Sequence, residues 1–160
     1  MSGSPALTRW CAAAIMATPD GRYLMQLRDA KPTIIIPDHW ALFGGTVDSG
    51  ESAETALRRE LIEELEFEAR DIAFFTELEI ELPFSPPRRD RMSFFAVPIE
   101  VSDVARMVQH EGADRRLFTP QLLAAEPRVA PWDLAVVLMH ARRRLLFAAP
   151  SHAAGTDRRD

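Results

Sequence analysis

Gly45-Thr-Val-Asp-Ser-Gly-Glu51, followed after seven residues by Arg59-Glu60-Leu61-Ile62-Glu63-Glu64, gathers carboxylates at a spacing that solvation alone does not demand. On a helix Glu60, Glu63 and Glu64 stand at i, i+3 and i+4, so one turn turns three carboxylates toward nearly the same patch of space. Like charges so arranged cost about a few tenths of a kcal/mol per pair when exposed, and more when half-buried, so a bound cation is the natural compensation. Oxygen-only donors select Mg²⁺, with Mn²⁺ as the substitute, over zinc. A plainer reading competes: a solvated acidic helix in which Arg58 and Arg59 are internal ion-pair partners. That reading covers the charges but not Gly44-Gly45 or the Gly50-Glu51 turn.

The elements that must hold these residues can be read from pattern. Residues 52–66 suit a helix, with Ser52 as N-cap, Glu54 favouring the positive end of the dipole, and Ala53, Ala56, Leu57, Leu61 and Leu65 spaced to pack. Residues 10–17 read as a buried strand, Pro19-Asp20-Gly21 as a turn and residues 23–28 as the returning strand. Residues 29–38 form a loop with prolines around Ile34-Ile35-Ile36, an edge-like segment at most. Residues 40–43 then run into Gly44-Gly45, where the missing side chains let backbone approach a ligand. Residues 72–82 and 92–101 are the next strands, joined by a segment whose Pro83, Pro86 and Pro87 argue against a regular hairpin. Phe84 and Arg88 in that segment suit stacking a base or gripping phosphates. His110-Glu111-Gly112 precedes a short helix at 120–125 and a longer one at 131–147, whose inward positions read as Leu134, Val137, Leu138, Ala141 and Leu145.

Composition sets the outer bounds. The 160 residues suit one domain over 1–150 with a polar tail at 151–160. With 47% apolar and 27% charged residues the chain falls in the globular range. A net charge of −5 provides no footprint for duplex nucleic acid, so an anionic substrate must be held by local arginines and metal. Cys11 is the single cysteine, which suits a reducing compartment, and the apolar run at 10–16 is too short to span a bilayer. The expectation is a cytoplasmic protein with neither nucleic-acid nor membrane partners. Exposed strand edges leave room for a homodimer.

At the glycine loop and acidic helix the sequence resembles the Nudix hydrolase family. Its signature is Gly, five residues, Glu, seven residues, Arg-Glu, an aliphatic, any residue, Glu-Glu, any residue, Gly and an aliphatic. Gly45, Glu51, Arg59, Glu60, Leu61, Glu63, Glu64 and Phe67 keep that register, and Glu66 stands where the last glycine would be. A left-handed helix exit at Glu66 would cost about 1 kcal/mol, so the expectation is that the helix runs on or stops differently. The resemblance implies an α/β (α+β) fold, a mixed sheet sandwiched between helices, and hydrolysis of a phosphoanhydride in a nucleoside diphosphate linked to another moiety. It implies Glu60 and Glu64 as principal metal ligands, Glu63 as a ligand or the base, and the Gly45 carbonyl as a further ligand. Arg59 would orient a glutamate, with Glu51 as its partner. Family members differ in the source of the base, and Glu111 is the alternative to the helix.

Substrate contacts are expected from Arg28 and Gly44, and Phe43 departs from the proline that many relatives carry, adding a wall to the pocket. Trp40, Phe43, Phe84 and Trp132 each suit either stacking on a base or filling core, with core the default for the two tryptophans. His39 and His110 are candidates for proton transfer or phosphate binding, or are simply exposed. A nucleoside triphosphate is the first substrate expected, with nucleotide sugars and dinucleoside polyphosphates close behind. The competing class is a Nudix-like binding or regulatory module without turnover.

Overall fold

The computed structural model describes residues 7–82 and 87–143. Expectations for Phe84, for Leu145 and the rest of 144–147, and for the tail at 151–160 lie outside the described residues. Residues 12–16, Ala-Ala-Ala-Ile-Met, are buried on both faces, and the strand that contains them, β1 (Leu7–Ala17), runs through the sheet's interior. A strand covered on both sides reads as a continuous apolar run rather than an alternation. The other strands are β2 (Tyr23–Leu27), β3 (Trp40–Ala41), β4 (Phe43–Thr46), β5 (Ala73–Leu82), β6 (Arg88–Pro98) and β7 (Asp114–Phe118). Their order is β3-β2-β1-β6-β5, with β4 added to β1 and β7 to β2. β1 and β6 run parallel while the remaining pairs are antiparallel, so the sheet is mixed.

Helices α1 (Ala53–Leu65), α2 (Val101–Arg106), α3 (Pro120–Ala125) and α4 (Pro131–Arg142) complete the described elements. Ala12, Ala14 and Met16 of β1 pack with Phe43 and with Leu57, Leu61 and Leu65 of α1 on one face. Ala13 and Ile15 face the other way, onto Trp40, Phe94, Phe118, Val136 and Val137. The expected sheet between helices is therefore present. Among the described residues no helix is long and apolar enough to cross a membrane.

Four readings need correction. β6 begins at Arg88, and Leu82 pairs with Arg88, so β5 and β6 are antiparallel neighbours up to residues 83–87. Arg89 and Arg91 pair with Glu79 and Glu77 across these strands, a ladder of opposite charges that looks like loop in sequence. The strand also ends at Pro98, where Glu100 and Asp103 form a reciprocal capping box that starts α2, an unexpected helix. Strand β7, likewise unexpected, pairs along β2, and the charged Asp114, Arg115 and Arg116 conceal it.

The fourth correction concerns α4. Its buried face carries Asp133, Val136, Val137 and His140, whereas Leu134 and Leu138 are only half-buried. Hydrophobic periodicity cannot see this face because two of its members are polar. They are buried with partners: Asp133 Oδ2 accepts the Leu42 N–H at 3.0 Å, and His140 Nδ1 lies 2.9 Å from the Tyr23 hydroxyl.

Helix α1 starts as expected, with Ser52 Oγ accepting the Thr55 N–H at 3.1 Å. Its exit differs from expectation. Glu66 adopts the left-handed conformation (φ 50°, ψ 36°), and its N–H and that of Phe67 bond to the carbonyls of Ile62 and Leu61 at 2.9 and 3.2 Å. This is the Schellman ending that a glycine would make. The Glu66 carboxylate lies 2.7 Å from His110 Nε2, and the Val108 and His110 N–H groups bond to the carbonyls of Leu65 and Glu64. The loop carrying Glu111 is thereby tied to the end of α1.

Two outcomes follow from these backbone details. Gly44 has φ 141°, and a Cβ there would sit 2.1 Å from the Ala12 carbonyl oxygen, which cannot rotate away. Gly44→Ala should therefore destabilise the protein by about 2 kcal/mol or more in urea unfolding. Glu66→Gly relieves about 1 kcal/mol of left-handed strain and forfeits an exposed pair worth about 0.2–1 kcal/mol. Its unfolding midpoint should be equal or higher, and a marked fall would show that the His110 contact outweighs the strain.

Candidate active site

Strand β4 pairs antiparallel beside β1 and brings the Gly44 N–H within 3.1 Å of Glu64 Oε2, to which it donates. Glu64 is 5% exposed. Burial pushes its carboxyl up to about 8; the negative charges of Glu60 and Glu111 add to the rise, and the Gly44 N–H and Arg28 oppose it. Glu60 is raised as well, first by burial, against the pull of Arg59. A Cβ at Gly45 would fall 2.3 Å from the Glu60 carboxyl carbon. Only glycine leaves room there for that carboxylate.

Arg59 connects the pieces. Its Nε and Nη2 each donate to Glu51 at 3.1 Å, Nη2 also reaches the Thr46 carbonyl at 3.0 Å, and Nη1 meets Glu60 at 2.6 Å. The same Nη1 lies 3.4 Å from Glu63. Paired with this guanidinium, the Glu51 carboxyl sits below the usual carboxylate range.

A polar cavity of about 580 Å³ opens beside these groups, with Gly45, Glu60, Glu64, Arg28, Lys31 and Glu111 in its wall. Glu63 is not in that wall, and its side chain is 58% exposed. The helix turn thus directs two of its glutamates into the cavity and the third outward, unlike the three-way convergence read from spacing. Among the described residues no three His, Cys, Asp or Glu side chains converge as a ready cage. The donor set nevertheless fits a divalent cation. Its members are carboxylate oxygens whose burial and mutual repulsion raise their pKa, and Gly45 is cut away opposite Glu60.

A second, mainly apolar cavity of about 120 Å³ adjoins the first, its wall including Leu42, Ile80, Met92, Trp132 and Asp133. Arg9, Arg28, Gly44 and Gly45 line both cavities and form their common border. Arg28 donates from Nε to the Ile35 carbonyl at 3.0 Å. Arg88 grips Asp90 in the wall of the apolar cavity.

Phe43 is corrected: it is fully buried in the core beside α1 and lines neither cavity. Trp40 is core against Phe118, and Trp132 is half-buried in the apolar wall. His39 lies against the Pro37 carbonyl and His110 against Glu66, so both have local partners. The sequence reading missed Arg9, Lys31 and Asp133 as cavity residues. Only Asp133 left a signal, as a carboxylate beside Trp132 at a helix start.

The comparisons agree with this geometry. The NUDIX domain model matches residues 7–139. Over 46 residues the chain is 52% identical to the nucleoside triphosphatase NudI of Escherichia coli O139:H28, covering 29% of this chain and 32% of that protein. The match thus spans about a third of the length of these curated relatives. The solution structure of the E. coli ORF135 protein superposes with a TM-score of 0.67 at 26% identity, covering 91% of this chain and 95% of that one. A MutT/Nudix family protein from Listeria innocua gives a TM-score of 0.71 at 20% identity over 90% of this chain and all of that one, which speaks for the fold. With the glycine strand, the acidic helix and the Arg59 bridge in one register, and the family model running from β1 into α4, this chain belongs to the Nudix family.

Proposed function

We propose that this chain is a divalent-cation-dependent pyrophosphohydrolase acting on a phosphoanhydride of a nucleotide, a nucleoside triphosphate first among substrates. The observation that carries this reading is the pair Glu60 and Glu64 facing a polar cavity that also holds Arg28 and Lys31. Carboxylates for a cation and basic groups for phosphate share one wall, which is what cleavage of a polyphosphate requires. The kinship with the nucleoside triphosphatase NudI supports the substrate class.

In this reading Glu60, Glu64 and the Gly45 carbonyl hold Mg²⁺ or Mn²⁺, with Glu63 joining from its loose contact to Arg59. The cation supplies charge neutralisation and Lewis acidity toward the phosphate oxygens. Arg59 is a positioning residue: bound to Glu51 and the Thr46 carbonyl, it fixes the direction of the Glu60 carboxylate. Arg28 and Lys31 bind the phosphates, while Gly44 and Gly45 let them approach the backbone. Glu111 is the base that takes the proton of the attacking water, since it projects from the tied loop into the same cavity. Intact Glu60 and Glu64 count against a binding module without turnover.

Phosphate and pyrophosphate release from nucleoside triphosphates, nucleotide sugars and dinucleoside polyphosphates should be metal-dependent. Glu64→Gln keeps an acceptor for the Gly44 N–H and should lower kcat by about 100-fold or more. Turnover unchanged by this substitution would sink the assignment. Acidity gives a second check on the metal-free protein. Glu64 at about 8 and Asp133 at about 7 bind protons more tightly folded than unfolded. Their stabilisation is complete below the ordinary carboxylate range and drains away as pH rises toward those values. Stability measured between pH 5 and 8 should fall by at most about 1.4 kcal/mol per pH unit for each group. Glu64→Gln should flatten the slope, leaving the shares of Asp133 and of Glu60, which is also raised by burial.

A further inference from the structure

Glu66 holds a backbone conformation, φ 50°, that glycine adopts freely and a glutamate adopts under strain. Its carboxylate reaches out of the helix to His110, where Oε1 lies 2.7 Å from Nε2; the imidazole donates, since a carboxylate only accepts. The same two segments are joined by backbone bonds, from the Val108 N–H to the Leu65 carbonyl at 3.0 Å and from the His110 N–H to the Glu64 carbonyl at 2.9 Å. Glu111 comes next in the chain, in the wall of the polar cavity, and its charge acts on Glu60 and Glu64. Beyond it the Ala113 N–H bonds to the Leu27 carbonyl at 2.8 Å, and the Gln109 amide donates to the carbonyls of Glu111 and Asp114 at 2.7 and 3.2 Å. The segment is thus referred to β2 on one side of Glu111 and to α1, the helix of Glu60 and Glu64, on the other. Any residue could make the backbone bonds to α1, whereas the side-chain bond belongs to Glu66 and His110.

We infer that Glu66 is a positioning residue for the reaction: by holding His110 it fixes Glu111 relative to the Glu60 and Glu64 carboxylates. This deepens the proposed function and rests on it, with Glu111 as the base. A general base works only within hydrogen-bond reach of the proton it takes, and a misplacement of about 1 Å costs up to about 100-fold in rate. Two backbone bonds define an axis about which a segment still rolls, and a side-chain bond off that axis restrains the roll. Both partners are about half exposed, so the pair shifts the balance between aligned and misaligned loop by about fivefold at most. A glycine at this position would end the helix without strain but would leave His110 without its acceptor on α1.

Glu66→Gly and Glu66→Gln separate this role from a merely structural one. Measured with Mg²⁺ and nucleoside triphosphates, Glu66→Gly should lower kcat by about two- to fivefold and leave KM unchanged, while its unfolding midpoint is equal or higher. Glu66→Gln keeps an oxygen for His110 at the same strained backbone and should keep the parent kcat. His110→Ala should match Glu66→Gly, and the double variant should fall no further. In a Glu111→Gln background Glu66→Gly should change nothing more. Amide hydrogen exchange at Val108 and His110 in metal-free buffer should quicken in Glu66→Gly and stay at the parent rate in Glu66→Gln. A kcat untouched by Glu66→Gly, an equal loss in Glu66→Gln, a full loss persisting without Glu111, or exchange that does not respond would each overturn the inference and leave the hydrolase reading standing. No metal-dependent turnover in the parent would overturn the hydrolase reading itself, and the inference with it. Should Glu66→Gly fail to fold, Glu66→Asn tolerates the left-handed region, is one methylene short of His110 and carries the same expectations.

Discussion

One guanidinium keeps three segments in register. Arg59 reaches forward to Glu51 in the loop, sideways to the Thr46 carbonyl at the end of β4, and along its own helix to Glu60. Loop, strand and helix are otherwise held near one another by the apolar contacts of Leu57, Leu61 and Leu65 beneath the sheet and by the Gly44 N–H bond to Glu64. Apolar packing is non-directional and tolerates small slides, whereas a planar fork of donors with three fixed acceptors does not. The positions of Glu60 and Glu64 relative to the glycine backbone depend on that fork.

What the sequence made legible was whatever depends on local spacing. The α1 cap at Ser52 and its packing face follow from positions within a few turns, while the Arg59–Glu51 pair came with the family resemblance. The glycine pair was also legible, but only beside the acidic helix. What escaped were elements whose evidence is distant or charged. The start of β6 is stabilised by cross-strand partners of opposite charge, and the charged residues of β7 pair along β2, so both look like loop until the neighbour is known. Asp133 and His140 escaped because a partnered polar residue turned inward breaks the periodicity that reveals a helix face. Phe43 misled because its place next to two site glycines says nothing about side-chain direction, which alternates at each residue of a strand.

The two cavities have opposite characters and a shared border. The larger is polar, with carboxylates and basic groups in close company, and the smaller is mainly apolar, with Asp133 Oδ1 unpaired in its wall among the described residues. Arg28 belongs to both, and the Ile35 carbonyl anchors its guanidinium. Its charge therefore acts on two carboxylates at once, opposing the upward push of burial at Glu64 and at Asp133. One side chain thus biases the ionisation of a carboxylate in each cavity, without any motion of the fold.

Glu66 bears on how such chains are found. The helix exit demands a backbone conformation rather than a residue type, and a glutamate meets that demand with its N–H and that of Phe67 bonded as a glycine exit would have them. A search pattern written with an obligatory glycine at that position would pass over this chain, although its glycine strand, its acidic helix and its arginine bridge are all in place.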